Sequence, residues 1–276
     1  MERGDLTGNL RSLGLLLALL PEAPGEFRDR AAGYAEMLLE RILIGRVSYD
    51  TVGWEGLLQE LEERFGDVGR VLSEPALREV EERTRRLLAD IRGEDPFMRR
   101  WAADSLLARL CYLLCRLLRP RVVLETGVAY GVSSAFILRA LEQNGGGVLH
   151  SVDLPPLRSG YEKSWGVAVD EGMRRRWCLH RGSSRKVLPG LLERLGRVDL
   201  FVHDSLHTRS NMLREFGLVW PHLTGGGVLV ADDVERNDAF GELRRWGPDL
   251  WRVVEDRERG PLWGRAAPVV FGVAIR

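Results

Sequence analysis

Val122-Val123-Leu124-Glu125-Thr126-Gly127-Val128-Ala129-Tyr130-Gly131-Val132-Ser133-Ser134 decides the reading of this chain. It opens on a short apolar, β-branched run, the mark of a parallel strand buried on both faces. Two glycines then turn the backbone, and the residues from Ser133 to Leu141 have the composition of a helix. Strand, glycine turn and helix start together form a nucleotide-type cradle. Glycine lets the backbone approach a ligand, and the first turn of a helix offers free N–H groups.

Outward from this stretch, residues 121–275 alternate strand and helix, which predicts a parallel sheet covered on both faces. Strands are expected at 121–126, 148–153, 177–181, 198–204, 226–232, 251–255 and 268–275. Helices are expected at 133–143, 184–195, 209–221 and 238–246. Asn144-Gly145-Gly146-Gly147 and Thr224-Gly225-Gly226-Gly227 read as loops ahead of strands. Residues before 120 read as successive helices: 6–20, 27–44, 54–65, one from a Ser73 N-cap to about 91, and one opened by Asp95-Pro96 and ending at 118. The expected division is a helical lobe over 1–118 and an α/β domain over 119–276. The lobe is expected to pack on the main domain or to mediate homo-oligomerisation.

The chain has 276 residues, 45% hydrophobic and 29% charged, as a packed soluble core requires. Acids and bases number 40 each, so no basic field favours nucleic acid. Residues 13–20 are apolar but too short to span a bilayer. Cys111, Cys115 and Cys178 form no metal or disulfide framework by spacing, which points to a reducing, cytoplasmic setting.

In open α/β sheets, ligands bind beyond the carboxyl ends of the strands. Glu125 ends the first expected strand, where a second anion such as a pyrophosphate would be repelled and a cation welcomed. Asp153 ends the second, as a ribose acceptor or a cap for local N–H groups. Ser183 and Ser184 follow the third, as an N-cap or a neighbour of an adenine. The fourth ends in His203-Asp204-Ser205-Leu206-His207 and the fifth in Asp232-Asp233. Three carboxylates on neighbouring strand ends raise one another's pKa values unless a cation joins them. All-oxygen ligands favour a hard ion, Mg²⁺ first, with Ca²⁺ or Mn²⁺ as alternatives. Asn237 reads first as a helix N-cap. The long connection 154–172, with Tyr161, Trp165 and three glycines, reads as a closing loop or as a surface loop pinned by Trp165.

The pattern E-x-G-x-x-x-G-x-S at Glu125, Gly127, Gly131 and Ser133 resembles the first motif of class I S-adenosylmethionine-dependent methyltransferases. Asp204-x-x-His207 with Asp232-Asp233 resembles the metal-dependent O-methyltransferases, and most nearly those acting on macrolide sugars, of the mycinamicin and macrocin type. The resemblance covers roughly 121–275. It implies a Rossmann-like, seven-stranded, mostly parallel sheet with its last strand antiparallel. It implies S-adenosylmethionine held by Glu125, Gly127, Gly131, Ser133, Asp153, Ser183, Ser184 and Asp204. It implies a divalent metal on Asp204, Asp232 and Asp233, with His207 as general base. The expected reaction is O-methylation of a small hydroxylated molecule, a sugar or other natural product, without nucleic acid or membrane partners. Such relatives often carry an acid where this chain has His203. The rival reading is an S-adenosylmethionine-binding protein without methyl transfer, acting as an assembly or regulatory partner; a nicotinamide oxidoreductase is disfavoured by Glu125.

Overall fold

The computed structural model describes residues 6–91, 102–157, 160–256, 263 and 268–276. In chain order the elements are α1 (Leu6–Glu22), α2 (Pro24–Leu43), β1 (Thr51–Val52), α3 (Trp54–Phe65), α4 (Val68–Leu72), α5 (Pro75–Asp90) and α6 (Ser105–Leu118). Then come β2 (Val122–Thr126), α7 (Val132–Asn144), β3 (Val148–Asp153), β4 (Trp177–Arg181), α8 (Ser184–Leu195), β5 (Val198–His203) and α9 (Arg209–Val219). The chain ends with β6 (Leu223–Asp232), α10 (Ala239–Glu242), β7 (Leu250–Asp256) and β8 (Val269–Ile275).

The strands form one sheet in the order β1-β7-β8-β6-β5-β2-β3-β4. Only β8 runs antiparallel, between β6 and β7. This is the expected Rossmann-like arrangement with one strand more. β1 was not foreseen, because two residues carry no period; Thr51 and Val52 pair with Val253 and Val254 at the sheet edge. β6 begins at Leu223, so the Gly225–227 run expected as a loop lies inside the strand, across a register shift against β5.

From β2 the chain winds outward through β3 and β4, then returns to place β5 on the other side of β2. The carboxyl ends of β2 and β5 therefore flank the topological switch point, where such sheets bind ligands. Leu124, Phe201 and Leu229 contribute to a core under α8, α9 and α10. Val123, Leu200 and Val230 face the opposite core, filled by α3 to α7. Among the helices before 118, α3 to α6 share one core with the sheet, and β1 belongs to that sheet. Of this region, α1 and α2 stand outside that core.

Two helix starts differ from expectation. Ser73 does not cap α5; its hydroxyl donates back to the carbonyls of Gly69 and Arg70, closing α4. Glu74 precedes Pro75 instead, its carboxylate held by Arg116 and Tyr112. The helix opening expected at Asp95-Pro96 lies outside the described residues; α6 itself starts at Ser105, where Asp104 caps it by accepting from Leu106 N at 2.9 Å. Among the described residues, no helix is long and apolar enough to cross a membrane.

Candidate active site

The glycine turn after β2 is pressed against the loop after β5. Asp204 N donates to Thr126 O at 2.8 Å. Gly127 has φ +85°, and a side-chain carbon there would overlap the Asp204 carbonyl. Only glycine meets both conditions. Gly127→Ala is therefore expected to cost about 2–4 kcal/mol, left-handed strain plus overpacking. Denaturant unfolding checks it, and an unchanged midpoint would remove the crowding.

Gly131, at φ +77°, begins α7. A side-chain carbon on it would lie 2.8 Å from Gly166 Cα. The connection after β3 crosses the turn here: Gly166 N and Ala168 N donate to the carbonyls of Ala129 and Tyr130, each at 2.9 Å. Trp165 pins it by donating to Asp153 Oδ2 at 3.0 Å. The loop is thus both pinned by Trp165 and folded over the turn.

Asp153 serves the turn as well. Its Oδ2 accepts from the N–H groups of Val128 and Ala129, both at 3.1 Å, and its Oδ1 from Leu154 N at 2.8 Å. Burial pushes its carboxyl above the usual range, against these donors, which pull it down. The local-cap alternative describes these bonds.

Glu125 corrects an expectation. It does not stand at the mouth of the turn: it is fully buried. Ser133 donates to Oε1 at 2.5 Å, and Ser134 and Ser151 donate to Oε2 at 2.6 and 2.7 Å. Burial raises its pKa while the three hydroxyls lower it. With both oxygens so engaged, Glu125 and Ser133 tie β2, α7 and β3 together beneath the turn rather than facing a ligand.

Ser183 occupies the cap position of α8, yet its hydroxyl donates to Asp29 of α2 at 2.8 Å and not to its own helix. Ser184 Oγ lies 3.5 Å from Asn211 Oδ1.

The acidic group converges. Ligand atoms of Asp204, His207 and Asp232 all lie within 4.8 Å of one another, the one such set among the described residues. Asp233, expected as the third ligand, is outside it. Its backbone is left-handed at φ 52°. Its Oδ2 lies 2.5 Å from Arg236 Nη2 and 3.4 Å from His207 Nδ1. His207 Nε2 is 3.6 Å from Asp204 Oδ1. The imidazole is thus bracketed by two carboxylates, oriented from one side and facing the acids on the other. Two carboxylates and an imidazole suit Mg²⁺ or Mn²⁺, the nitrogen leaning toward the latter. Asn237 caps the segment before α10, accepting from Ala239 N at 3.0 Å, and its amide donates to His207 O at 3.1 Å.

Sequence reasoning missed four contributors. Asp104, from the start of α6, lines a cavity of about 10 Å³ with Asp232 and Asp233. Glu215, fully buried on α9, gathers the strand ends: Thr126 and Ser205 donate to it at 2.6 and 2.9 Å, Asn211 at 3.0 Å, and His203 Nδ1 lies 2.7 Å away. His203 is therefore matched by Glu215, one layer below the acids. Glu36 and Glu40 of α2 bind the start of α9, where Glu40 accepts from Ser210 N at 3.0 Å and Glu36 from Ser210 Oγ at 2.9 Å. A larger cavity, about 310 Å³ beside Arg121, Asp199 and Gly225–227, lies at the amino ends of the strands, away from this chemistry.

Residues 124–234 match a family model described as a methyltransferase domain. That span contains the glycine turn, Asp153 and the convergent acids. No curated protein matches the chain. Cofactor-bound Rv0187 from MTB is 18% identical, covering 82% of this chain and 98% of its own, with a TM-score of 0.51. The O-methyltransferase TomG from Streptomyces achromogenes, involved in tomaymycin synthesis and solved with SAM, is 20% identical over 74% of this chain and 90% of its own, with a TM-score of 0.49. An O-methyltransferase from Bacillus cereus, solved with SAH, is 16% identical over 80% and 97%, also at 0.49.

Proposed function

We propose that this chain, whose residues 124–234 match a methyltransferase domain, is an S-adenosylmethionine-dependent methyltransferase that O-methylates a small hydroxylated acceptor, a sugar or other natural product, with the help of a divalent cation. The observation that carries this reading is the meeting of Asp204, His207 and Asp232 beside the glycine turn. A methyltransferase acting on a strong nucleophile has no need of such a group. A hydroxyl does, because its proton is tightly held.

In this reading the turn 127–131 and the start of α7 receive the cofactor, whose carboxylate suits the free N–H groups there. Asp153 receives the ribose, exchanging Trp165 or a turn amide for a hydroxyl. Ser183 and Ser184 border the adenine. Asp204 and Asp232 hold Mg²⁺ or a similar ion, which when bound supplies the positive charge that makes an acceptor hydroxyl easier to ionise. His207 takes the proton. Asp233 orients it through Nδ1. The remaining task is alignment of oxygen, methyl carbon and sulfur.

The shared distances among Asp204, His207 and Asp232 favour a second reading, in which His207 is itself a ligand. His207→Ala separates the two: a base lost leaves Mn²⁺ affinity intact, whereas a ligand lost weakens it by about 10-fold or more. The main reading is tested by transfer of labelled methyl from S-adenosylmethionine to a panel of hydroxylated compounds, with Mg²⁺ or with EDTA. Cation-dependent labelling is expected. Labelling that EDTA leaves unchanged would sink the cation's part, and cofactor binding with no transfer to any acceptor would favour an assembly or regulatory role.

A further inference from the structure

Helix α2 is amphipathic in the reverse sense. A helix on a soluble domain ordinarily buries an apolar stripe and leaves its charged face in water. None of the twenty residues of α2 is buried, and the face it turns to the domain is the charged one. Asp29 pairs with Lys186 at 2.8 Å and Glu36 with Arg214 at 3.3 Å, while Arg185 also holds Glu36. Glu40 accepts from the first N–H groups of α9.

The apolar residues point outward. Among the described residues, every exposed large apolar side chain except Trp246 lies on α1 or α2. Leu38 and Leu39 are more than half exposed, and Ile42 and Leu43 are 80% and 77% exposed. These four recur at a spacing of four and share one face of the helix. Leu17 and Leu20 of α1, which packs along α2, add to the exposed apolar surface. Helices draw most of their stability from burying such a face, and monomers seldom expose apolar patches of this extent.

We propose that this face is covered by the same face of a second copy of the chain, related by a two-fold axis. A two-fold interface asks only that a surface complement itself. Of the exposed positions within 34–43, Arg41 is the one that carries a charge, so the patch meets itself with little repulsion. The chain as a whole carries no net charge, so two copies approach without an opposing field. Eight large apolar side chains amount to roughly the 800 Å² that one side of a standard interface buries. A membrane fits less well. Surface-bound helices flank their apolar face with Lys and Arg, whereas this face has one Arg above a row of carboxylates. Pairing would also hold Glu36 and Glu40 on the start of α9, next to His207.

Light scattering on a sizing column tests the pairing without any substrate, and so independently of the methyl-transfer reading. The full chain at micromolar concentration is expected at twice 31.2 kDa. The double variant Leu38→Glu with Ile42→Glu is expected at the single mass, with unchanged circular dichroism. Should that variant misfold, Leu38→Ala with Ile42→Ala is expected to weaken association by about 100-fold. A monomeric wild type, or a variant that stays as associated as the wild type, overturns the proposal. So does a wild type that is monomeric alone but binds phosphatidylglycerol vesicles through these residues, which would assign the face to lipid.

Discussion

Asp204→Asn should lower methyl transfer by at least about a thousandfold, near 4 kcal/mol of barrier. This residue joins several parts of the site. Its backbone N–H holds Thr126 and its carbonyl fills the space that Gly127 leaves open. Its carboxylate faces His207 and shares the convergent group with Asp232. The amide keeps the size of the side chain and both backbone contacts, so the loss is one of charge alone. The expected result is a chain that folds as the wild type and still binds S-adenosylmethionine in calorimetry, yet fails to label an acceptor that the wild type labels. Transfer within tenfold of wild type would take Asp204 out of the reaction.

Glu215→Gln should give the largest loss of stability, about 3–5 kcal/mol, as expected when a buried carboxylate that anchors several hydrogen bonds is replaced. For a chain of this length that lowers the melting temperature by on the order of 10 °C. The side chain has no solvent exposure, and it joins the ends of β2 and β5 to α9. Burial by itself would raise its carboxyl. The charge and hydrogen bond of His203, with the hydroxyls of Ser184 and Thr126, outweigh burial and hold it at about 2 instead of the ordinary 4.5. A carboxyl held low binds its proton more weakly in the folded chain than in the unfolded one. Its stabilisation is therefore complete above about pH 4.5 and is lost as the pH falls toward 2. Melting curves across that window should steepen for the wild type and flatten for Glu215→Gln. Parallel curves would show that the pair carries no such linkage.

The central strands were legible because each carries its own signal. Val122-Val123-Leu124 and Val228-Leu229-Val230 are apolar runs closed by acids, and β3, β4 and α8 begin and end where the pattern changes. The meeting of Asp204 with Asp232 followed from strand order, which the alternation of strand and helix implies. What stayed hidden was whatever depends on distant partners. Glu125 reads as a ligand-facing acid until Ser133, Ser134 and Ser151 close on it from two other elements. Asp233 and His207 exchange places around the acidic group because a left-handed backbone at Asp233 and the guanidinium of Arg236 turn that carboxylate aside. Glu215 did leave a trace: it stands between Met212, Phe216 and Val219, a lone acid inside the buried stripe of α9. Such an acid needs buried partners, and His203 at a strand end was the candidate. The outward apolar face of α2 could not be told from an inward one, since helical spacing gives a stripe without saying which side the domain lies on.

The most direct measurement counts Mn²⁺ ions by electron paramagnetic resonance, in the presence of S-adenosylmethionine, for the wild type and for Asp204→Asn with Asp232→Asn. One saturable ion per wild-type chain, absent from the double variant while the cofactor still binds, is the expected outcome. No saturable ion in the wild type, or the same ion held equally by the double variant, would mean that these acids do not assemble a cation site beside the glycine turn.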